Sequence, residues 1–373
     1  QNQLKHLDFK LFNNLNQLEF LDLSHNQLEQ LDFECISKLN NLKILSIKKN
    51  QLKYFDSTYS DVKAIGPLTS VKEIDLSFNQ LSNLNGLRLF SRLERVNFRY
   101  NHLRSLNCSM LSNSINWLDL SSNRIARVVD SFHHFSRLKE LYLQQNQLVE
   151  LDANVFEDLH DLEMLILNSN KIASINFNNN LTSLKYLDLS NNSIEALNES
   201  MLFDLKSLTT LVLSVNKISS IDKEAFKKSI SLENLYLDSN RLNYLEENLF
   251  ASLKRLVFIR LDSNALTYLN ESIFSINSNL TYLYLNDNNL SRINLSGLNQ
   301  LKFLNLSGNR INKIDSADFL HLKFLTEIYL SRNPIKSIDL ALFTQSKCLL
   351  KSDMDHFKIT FTRDKSGCLN FNW

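Results

Sequence analysis

The feature that most constrains this chain is a repeated pattern of leucine and asparagine. One copy, LxxLxLxxNxL, runs from Leu18 to Leu28. Its asparagine recurs at intervals of 21 to 29 residues. The copies carry it at Asn2, Asn26, Asn50, Asn79, Asn101, Asn123, Asn146, Asn170, Asn192, Asn216, Asn240, Asn264, Asn288, Asn309 and Asn333. So many copies in one register do not arise by chance, and a period of this length is typical of a repeat architecture.

The pattern predicts a short strand and a turn in every repeat. The two leucines of LxL share one face of a strand, and the residue between them faces the other way. One repeat cannot bury its leucines alone, but a stack of repeats can. The asparagine amide can then pair with backbone groups that the turn would leave unsatisfied. A phenylalanine ten residues after the asparagine, expected on the far side of the coil, stands at Phe12, Phe156, Phe226, Phe250, Phe274, Phe319 and Phe343.

Composition excludes several classes of function. The chain of 373 residues has 5 glycines and 2 prolines, far below the usual share of about 7% and 5%. A net charge of +1 gives no reason to expect a nucleic-acid partner. No apolar run is long enough to span a bilayer. We therefore expect no nucleic acid as partner, and membrane attachment only through an anchor outside this chain.

The repeat resembles the animal extracellular leucine-rich-repeat family in its 24-residue form, which Toll-like receptor ectodomains, Slit-like ligands and the insect adhesion proteins chaoptin and connectin share. Residues 138–162 show the motif in full, at Leu138, Leu141, Leu143, Asn146, Leu148, Leu151, Phe156, Leu159 and Leu162. The resemblance implies an α/β fold class, a leucine-rich-repeat solenoid shaped as a curved horseshoe. Its parallel sheet would line the concave face, and irregular or short helical segments the convex side.

The resemblance covers residues 1–345, a solenoid of about 15 repeats, and residues 346–373 are then expected to form a C-terminal cap. Cys348 and Cys368 lie in that segment, and a disulfide between them would close the cap. The family usually places four cysteines in this cap, and only two are present, so the match is partial. Two buried thiols are the alternative. Cys35 and Cys108 lie three repeats apart, too far for a mutual disulfide. Buried thiols are the simpler interpretation for them, and an intermolecular bridge is the alternative.

The residues expected on the concave face differ along the chain. Exposed aromatic side chains beside polar groups are typical anchors of protein interfaces, although strands favour aromatic residues anywhere. The C-terminal half is rich in both, which predicts a protein-binding patch at Tyr186, Tyr236, Asp238, Phe258, Arg260, Asp262, Tyr282, Tyr284, Phe303 and Tyr329. A modest basic stretch in the N-terminal half is interpreted as a solvated face, at Lys48, Lys49, Arg95, Arg99 and Tyr100.

Two further features are open to a functional or a neutral interpretation. The long interval between Asn50 and Asn79 predicts a loop that either binds a partner or is simply tolerated. Sequons for N-glycosylation are about as frequent as chance predicts, so only the extracellular resemblance makes glycans expected. The expected sites are Asn107, Asn180, Asn198, Asn270, Asn279 and Asn294.

No pattern of catalysis is present, since the sequence lacks a glycine-rich phosphate loop and the GxSxG and HExxH motifs. We therefore expect no enzyme and no cofactor other than N-linked glycans. The resemblance implies an extracellular module, secreted or at the cell surface, that binds a protein ligand or co-receptor in innate immunity or cell-surface signalling, as a monomer or as a homo- or heterodimer. A cell-adhesion or neuronal guidance protein is one alternative. An intracellular scaffold or enzyme-regulatory subunit is an alternative of another class.

Overall fold

The expected parallel-sheet solenoid is confirmed by a computed structural model. It describes residues 2–8, 11–12, 14–31, 33–55, 68–106, 108, 111–128, 132–151, 153–177, 181–203, 205–314, 319 and 321–336, and the backbone of three later strands. The chain forms two compact units, Gln1–Leu184 (unit 1) and Lys185–Trp373 (unit 2). Both units are built from the same repeat.

Unit 1 contains one three-residue strand in each repeat from Leu18 onward. The strands are β1 (Phe20–Asp22), β2 (Ile44–Ser46), β3 (Glu73–Asp75), β4 (Arg95–Asn97), β5 (Trp117–Asp119), β6 (Glu140–Tyr142) and β7 (Met164–Ile166). Each strand pairs in parallel with the next one along the chain. The register aligns equivalent leucines, for example Leu21 with Leu45, so the repeat period sets the pairing.

Unit 2 continues the pattern with strands of the same length. They are β8 (Tyr186–Asp188), β10 (Thr210–Val212), β12 (Asn234–Tyr236), β13 (Phe258–Arg260), β14 (Tyr282–Tyr284), β15 (Phe303–Asn305), β16 (Glu327–Tyr329) and β17 (Lys351–Asp353), paired in that order. A separate parallel pair joins β9 (Ala196–Leu197) to β11 (Ser220–Ile221).

The segment that the sequence predicts as a cap, residues 346–373, contains strand β17, which pairs in parallel with β16. It also contains an antiparallel pair, β18 (Thr360–Arg363) and β19 (Leu369–Asn372). The boundary at residues 345 and 346 stays a prediction. Cys348, Cys368 and the insertion residues 56–67 lie outside the described residues.

The core of each unit is made of the leucines that the repeat predicts. In the strands the middle residue is buried while its neighbours face the other way, as in β6 and β10. Leu118 and Leu283 are 0% exposed, and burying such a side chain stabilises the fold by about 1.5–3 kcal/mol. Phenylalanine rings fill the far side of the coils. Phe132 stacks on Phe156 in unit 1, with ring centres 6.2 Å apart.

The asparagine of each repeat closes the turn after the strand. All fourteen from Asn26 to Asn333 donate an Nδ2 hydrogen bond of 2.9–3.1 Å to the carbonyl three residues earlier. Asn50 also donates to the Leu23 carbonyl, at 2.9 Å, and accepts from the Leu28 N–H, at 3.0 Å. Its side chain therefore joins one repeat to the preceding one through buried backbone groups.

Four 3-10 helices lie between strands within the described residues, at Phe33–Cys35, Asn85–Leu89, Ala153–Phe156 and Glu199–Leu202. They match the short helical segments expected opposite the sheet. Among the described residues, no helix has the length and apolar character needed to cross a membrane.

Candidate functional site

The candidate site is the face of the sheet that points away from the leucine core, which we call the open face. The first and third residues of a strand reach it because neighbouring side chains in a strand alternate between faces. The turn residue just before each ladder asparagine adopts a positive φ, as in Lys49 and Asp287. Each repeat thus displays a few variable side chains on a fixed backbone.

In unit 2, the aromatic residues on this face contact one another in an unbroken series, which we call the aromatic row. Its members are Tyr236, Phe258, Tyr282, Tyr284, Phe303 and Tyr329. Ring centres are 4.9 Å apart for Tyr236 and Phe258, 5.4 Å for Phe258 and Tyr284, 4.5 Å for Tyr284 and Phe303, and 5.4 Å for Phe303 and Tyr329. Aromatic pairs at these distances attract one another beyond their buried area. The row is therefore a continuous apolar platform.

Tyr282 widens the platform on one side, with its ring centre 6.1 Å from Phe258 and 6.3 Å from Phe303. It is the most accessible member, at 40% exposed. The other five rings are half-buried. Tyr186 also lies on the open face of unit 2, in β8, and burial raises the pKa of its hydroxyl.

A charged cluster lies beside the row. Arg260 donates two hydrogen bonds to Asp262, from Nε and from a terminal guanidinium nitrogen, each 2.9 Å long. Asp238 Oδ1 lies 3.7 Å from Arg260 Nε and accepts a 2.6 Å hydrogen bond from Ser214. The guanidinium carbon is 5.5 Å from the ring centre of Tyr284. Such a fork fixes the guanidinium in one orientation, so Arg260 presents its remaining N–H groups beside the row.

Tyrosine hydroxyls at the row are also constrained. Burial raises the pKa of Tyr284, and the charge of Arg260 lowers it by less. The hydroxyl of Tyr329 donates a 2.9 Å hydrogen bond to Glu327 on the same strand. Glu327 was not among the residues predicted from sequence, although its spacing of two residues places it on the same face.

The open face of unit 1 has a different character. Lys48 and Lys49 lie over the ring of Phe78, with their Nζ atoms 5.8 Å and 5.5 Å from its centre. Phe78 stacks on Tyr100 at 4.4 Å. The sequence interpretation of a merely solvated face missed Phe78, which directly precedes a ladder asparagine. That position alone would have placed it on the open face.

Two arginines of unit 1 also lie over aromatic rings. The guanidinium carbon of Arg95 is 4.5 Å from the ring centre of Trp117, and that of Arg99 is 4.9 Å from Tyr100. The Trp117 ring in turn contacts Tyr142 at 5.5 Å. Trp117, also overlooked in the sequence, is the first residue of β5 and therefore faces outward. We call Lys48, Lys49, Arg95, Arg99, Phe78, Tyr100 and Trp117 together the cationic face.

The expected glycosylation sites lie at different accessibilities. Asn198 and Asn279 are exposed, whereas Asn270 and Asn294 are half-buried. The side-chain oxygens of Asn198, Asn270 and Asn294 accept local hydrogen bonds. Asn279 instead donates its Nδ2, the atom that a glycan would occupy, to the Lys254 carbonyl at 2.9 Å. Asn107 and Asn180 lie outside the described residues.

Both described cysteines, Cys35 and Cys108, are buried thiols. Burial raises the pKa of Cys108 to about 12, so the thiolate that reacts with disulfides is rare at neutral pH. Neither thiol contributes to the open face. No cluster of histidine, cysteine and carboxylate side chains suited to a metal ion occurs among the described residues.

Comparison with known proteins relates the chain to leucine-rich-repeat proteins of animals. Human lumican is 30% identical over 196 residues, which cover 51% of this chain and 55% of lumican. Human podocan-like protein 1 is 33% identical over 132 residues, which cover 32% of this chain and 26% of that protein. The chain therefore spans about half the length of lumican, and less of podocan-like protein 1.

Solved structures share the fold. The glycosylated complex of Toll with Spatzle from Drosophila aligns with a TM-score of 0.75 and 20% identity, over 89% of this chain and 50% of that one. A leucine-rich-repeat protein of Leptospira interrogans aligns with a TM-score of 0.66 and 24% identity, over 95% and 88% of the two chains. At these identities the likeness concerns the fold alone.

Leucine-rich-repeat profiles match the sequence in several segments. A profile described as leucine rich repeat matches residues 128–172, 172–218, 206–266 and 255–311. A profile of two copies matches residues 299–342, and a single-repeat profile matches residues 17–39. Together the profiles cover more than half of the chain and follow the same ladder of leucines and asparagines that builds both units, and the protein therefore belongs to the leucine-rich-repeat family.

Proposed function

We propose that this protein is an extracellular recognition module, secreted or at the cell surface, that binds a protein ligand or co-receptor through the aromatic row. The observation that carries the proposal is the unbroken series of ring contacts from Tyr236 to Tyr329 on the open face of unit 2. Five strands contribute to it, so the row spans about 19 Å across the sheet. That length suits the apolar centre of an ordinary protein interface.

The physical state of the rings supports a binding role. Each ring is held by its neighbours, so little side-chain freedom remains to be lost when a partner docks. Arg260 is oriented in advance by Asp262. Aromatic residues and arginine are the side chains that most often dominate binding energy at protein interfaces. A partner would cover Tyr282 and the exposed edges of its neighbours, and the polar cluster at Arg260 would fix its orientation.

Within this class, a role in innate immunity or cell-surface signalling is favoured over cell adhesion or neuronal guidance. The similarity of fold to Toll in its complex with Spatzle, a hub of Drosophila development and innate immunity, supports this choice. Dimerisation after binding, with a second copy or another protein, belongs to the same proposal. The binding itself requires no cofactor and no catalytic step.

Capture of secreted and surface proteins from the native source tests the role of the row. The full chain carrying Tyr284→Ala and Phe303→Ala is compared with the unchanged protein. Tyr244 and Tyr268 are exposed tyrosines of unit 2 outside the row, so Tyr244→Ala with Tyr268→Ala is a matched control. We expect the row variant to lose a specific protein that the control retains. Identical sets of captured proteins from all three would overturn the proposal.

The intact mass of the native protein, measured without reductant before and after deglycosylation, tests the compartment. A loss of mass on deglycosylation and a disulfide between Cys348 and Cys368 are expected for an extracellular protein. Asn198, Asn270 and Asn294 are the described sites where we expect glycans. An unmodified chain with four thiols would instead support the alternative of another class, an intracellular scaffold or enzyme-regulatory subunit.

A further inference from the structure

The cationic face of unit 1 holds four positive charges that no carboxylate neutralises directly. Within the described part of the chain, Lys48, Lys49, Arg95 and Arg99 form no ion pair. Their charges lie over the rings of Phe78, Trp117 and Tyr100 instead. Such contacts orient a cation but leave its charge available to an incoming anion.

Other cations of unit 1 do form ion pairs with carboxylates. Lys43 pairs with Glu19 at 2.8 Å, and Lys72 pairs with Glu94 at 2.7 Å. Both bridges join side chains of neighbouring repeats. Carboxylates and cations of this unit therefore pair between repeats where both are present. On the open face of β3 and β5, Glu73, Asp75 and Asp119 form no such bridge among the described residues, although Glu73 lies beside Arg95 in the strand register.

Asp75 and Asp119, the third residues of β3 and β5, are held by the turn that follows each strand. Each accepts a hydrogen bond from the backbone N–H two residues later, at 2.9 Å for Ser77 and 2.8 Å for Ser121. Burial raises the pKa of Asp119, and the side chain and the N–H of Ser121 and the charge of Arg99 lower it by less. Asp119 is buried and Glu73 and Asp75 are half-buried, whereas Lys49 and Arg95 are exposed, so the most accessible charges of the face are positive.

Unused hydrogen-bonding groups follow the same face. Four successive repeats carry, at the position two residues before the ladder asparagine, a buried polar atom without a hydrogen-bond partner in the protein. These atoms are Ser77 Oγ, Arg99 Nε, Ser121 Oγ and Gln144 Oε1. Ser77 and Ser121 are 1% and 0% exposed. At these exposures a docking partner cannot reach the two serine hydroxyls, so binding would use the half-buried side chains of Arg99 and Gln144.

A cavity of about 530 Å³ adjoins the cationic face at the N-terminal ends of strands β3 to β6. Its lining includes four cations and two carboxylates, at Lys72, Arg92, Arg137, Lys139, Glu94 and Asp161. Glu94 directly precedes Arg95, so the cavity continues onto the cationic face. Its volume accommodates a small number of side chains, and its excess of positive charge favours negative ones.

Two turn residues give this face an added feature. Phe78 and Tyr100 adopt φ values of +57° and +53°, a region that bulky side chains rarely occupy. The same turn position has a positive φ in the other repeats, where it is held by small residues such as Ser122 and by larger ones such as Val215. Here it places two rings, 37% and 41% exposed, at the rim of the face.

We propose that the cationic face and its adjoining cavity bind an acidic segment of a polypeptide, at a surface separate from the aromatic row. Acidic side chains would engage Arg95, Arg99 and the two lysines, and apolar side chains would contact Phe78 and Trp117. A long polyanion suits the surface less well. The four cations span only β2 to the turn after β4, about 10 Å, and Glu94 and Asp161 lie in the adjoining cavity.

Tryptophan fluorescence provides a local measurement of this binding. The chain has two tryptophans, so Trp373→Phe in the full-length protein leaves Trp117 as the sole reporter. The probe is a synthetic octapeptide that alternates glutamate with leucine, and the same peptide with glutamine in place of glutamate is its control. We expect saturable change of the Trp117 emission with the acidic peptide and at least tenfold weaker binding of the control.

Variants locate the site. Arg95→Gln with Arg99→Gln is expected to weaken binding of the acidic peptide at least tenfold, because both charges are lost. Arg92 and Arg137 are exposed on the cavity, and their replacement by glutamine tests the same site if the first variant fails to fold. Lys228→Gln with Lys254→Gln is the matched control. It removes the same charge, and Lys228 also lies over a ring, 5.7 Å from Phe203.

The outcome decides between occupants. Weakening by the arginine variants and not by the lysine control supports the proposal. Equal binding by all variants, or equal binding of the two peptides, overturns it. A heparin oligosaccharide or an oligothymidylate that binds this face more tightly than the acidic peptide would overturn the choice of a polypeptide. Failure of the aromatic row in its own capture experiment leaves these measurements unaffected, since the variants lie in different units.

Discussion

The open faces of the two units differ, although one repeat builds both. In unit 2 the rings of the aromatic row contact one another, and Arg260 is held by the carboxylate of Asp262. In unit 1 the rings stand in separate pairs, such as Phe78 with Tyr100, and the cations lie over them without an ion pair among the described residues. The strand geometry and the leucine core are the same in both. The repeat thus separates the positions that fold the chain from those that recognise a partner.

The largest expected effect tests whether the cores are indeed equivalent. Leu118 in unit 1 and Leu283 in unit 2 occupy the same position of the repeat and are both fully buried. Replacing either by alanine removes the same atoms and leaves a cavity, so each should lower the free energy of unfolding by about 2–5 kcal/mol. Urea unfolding followed by circular dichroism measures both. A loss in only one unit would show that the difference extends below the open face.

An intermediate effect concerns two carboxylates in contrasting surroundings. Asp262→Asn removes one charge from the fork with Arg260, and we expect a loss of about 1 kcal/mol. The loss stays small because the Arg260 side chain is 37% exposed and solvent screens the pair. Asp119→Asn in unit 1 should leave stability at pH 7 unchanged or raise it. Burial disfavours the charge there, and the amide oxygen can still accept from Ser121.

The pH dependence of the free energy of unfolding tests the direction of the Asp119 pKa shift. Its folded-state pKa is raised above the unfolded value, so its favourable contribution is complete below the unfolded pKa and is lost as pH rises through the folded one. The advantage of Asp119→Asn over the unchanged protein should therefore grow from about pH 3 to pH 7. Urea unfolding across that range measures it. A variant less stable at pH 7 than at pH 3, relative to the unchanged protein, would contradict this account.

The smallest expected effect concerns bulky turn residues with positive φ in the two units. Val215 in unit 2 is 51% exposed with φ of +56°, so Val215→Asn should raise stability by about 0.5–1 kcal/mol, since asparagine tolerates this region. Phe78→Asn should gain less, because Phe78 also stacks on Tyr100. Thermal unfolding compares the two. An equal gain would mean that the ring contacts of Phe78 contribute nothing to stability.

Much of the fold could be predicted from the sequence because the same motif recurs in every repeat. The leucines of LxL and the ladder asparagines keep one spacing, so strand, turn and core follow at each copy. The same register places Tyr236 and Tyr284 on the open face. Two features had no periodic signal, namely the division into two units after Leu184 and the strand Lys351–Asp353 within the predicted cap.

The site was less predictable because its chemistry depends on contacts between repeats. Whether Tyr284 touches Phe258 and Phe303 depends on rotamers, which spacing alone does not determine. The basic stretch was interpreted from charge without its aromatic neighbours. The contact of Arg95 with Trp117 needs two residues 22 positions apart to be adjacent, as they are across β4 and β5. Reading the repeats side by side, rather than along the chain, would have brought this pair together.

The asparagine ladder gives the solenoid a direction. Asn264 accepts from the Leu242 N–H and donates to the Leu237 carbonyl, so a turn is completed by the repeat that follows it. Removing the following repeat takes away this asparagine and leaves a buried N–H and a buried carbonyl of the preceding turn without partners. Removing the preceding repeat takes the partners of the ladder amide, which can turn toward water, and of backbone N–H groups such as that of Ala265, which donates to the Leu242 carbonyl. Backbone pairs between strands are lost in either case. We therefore expect shortened arrays to tolerate removal of repeats from the N-terminal side better than from the C-terminal side.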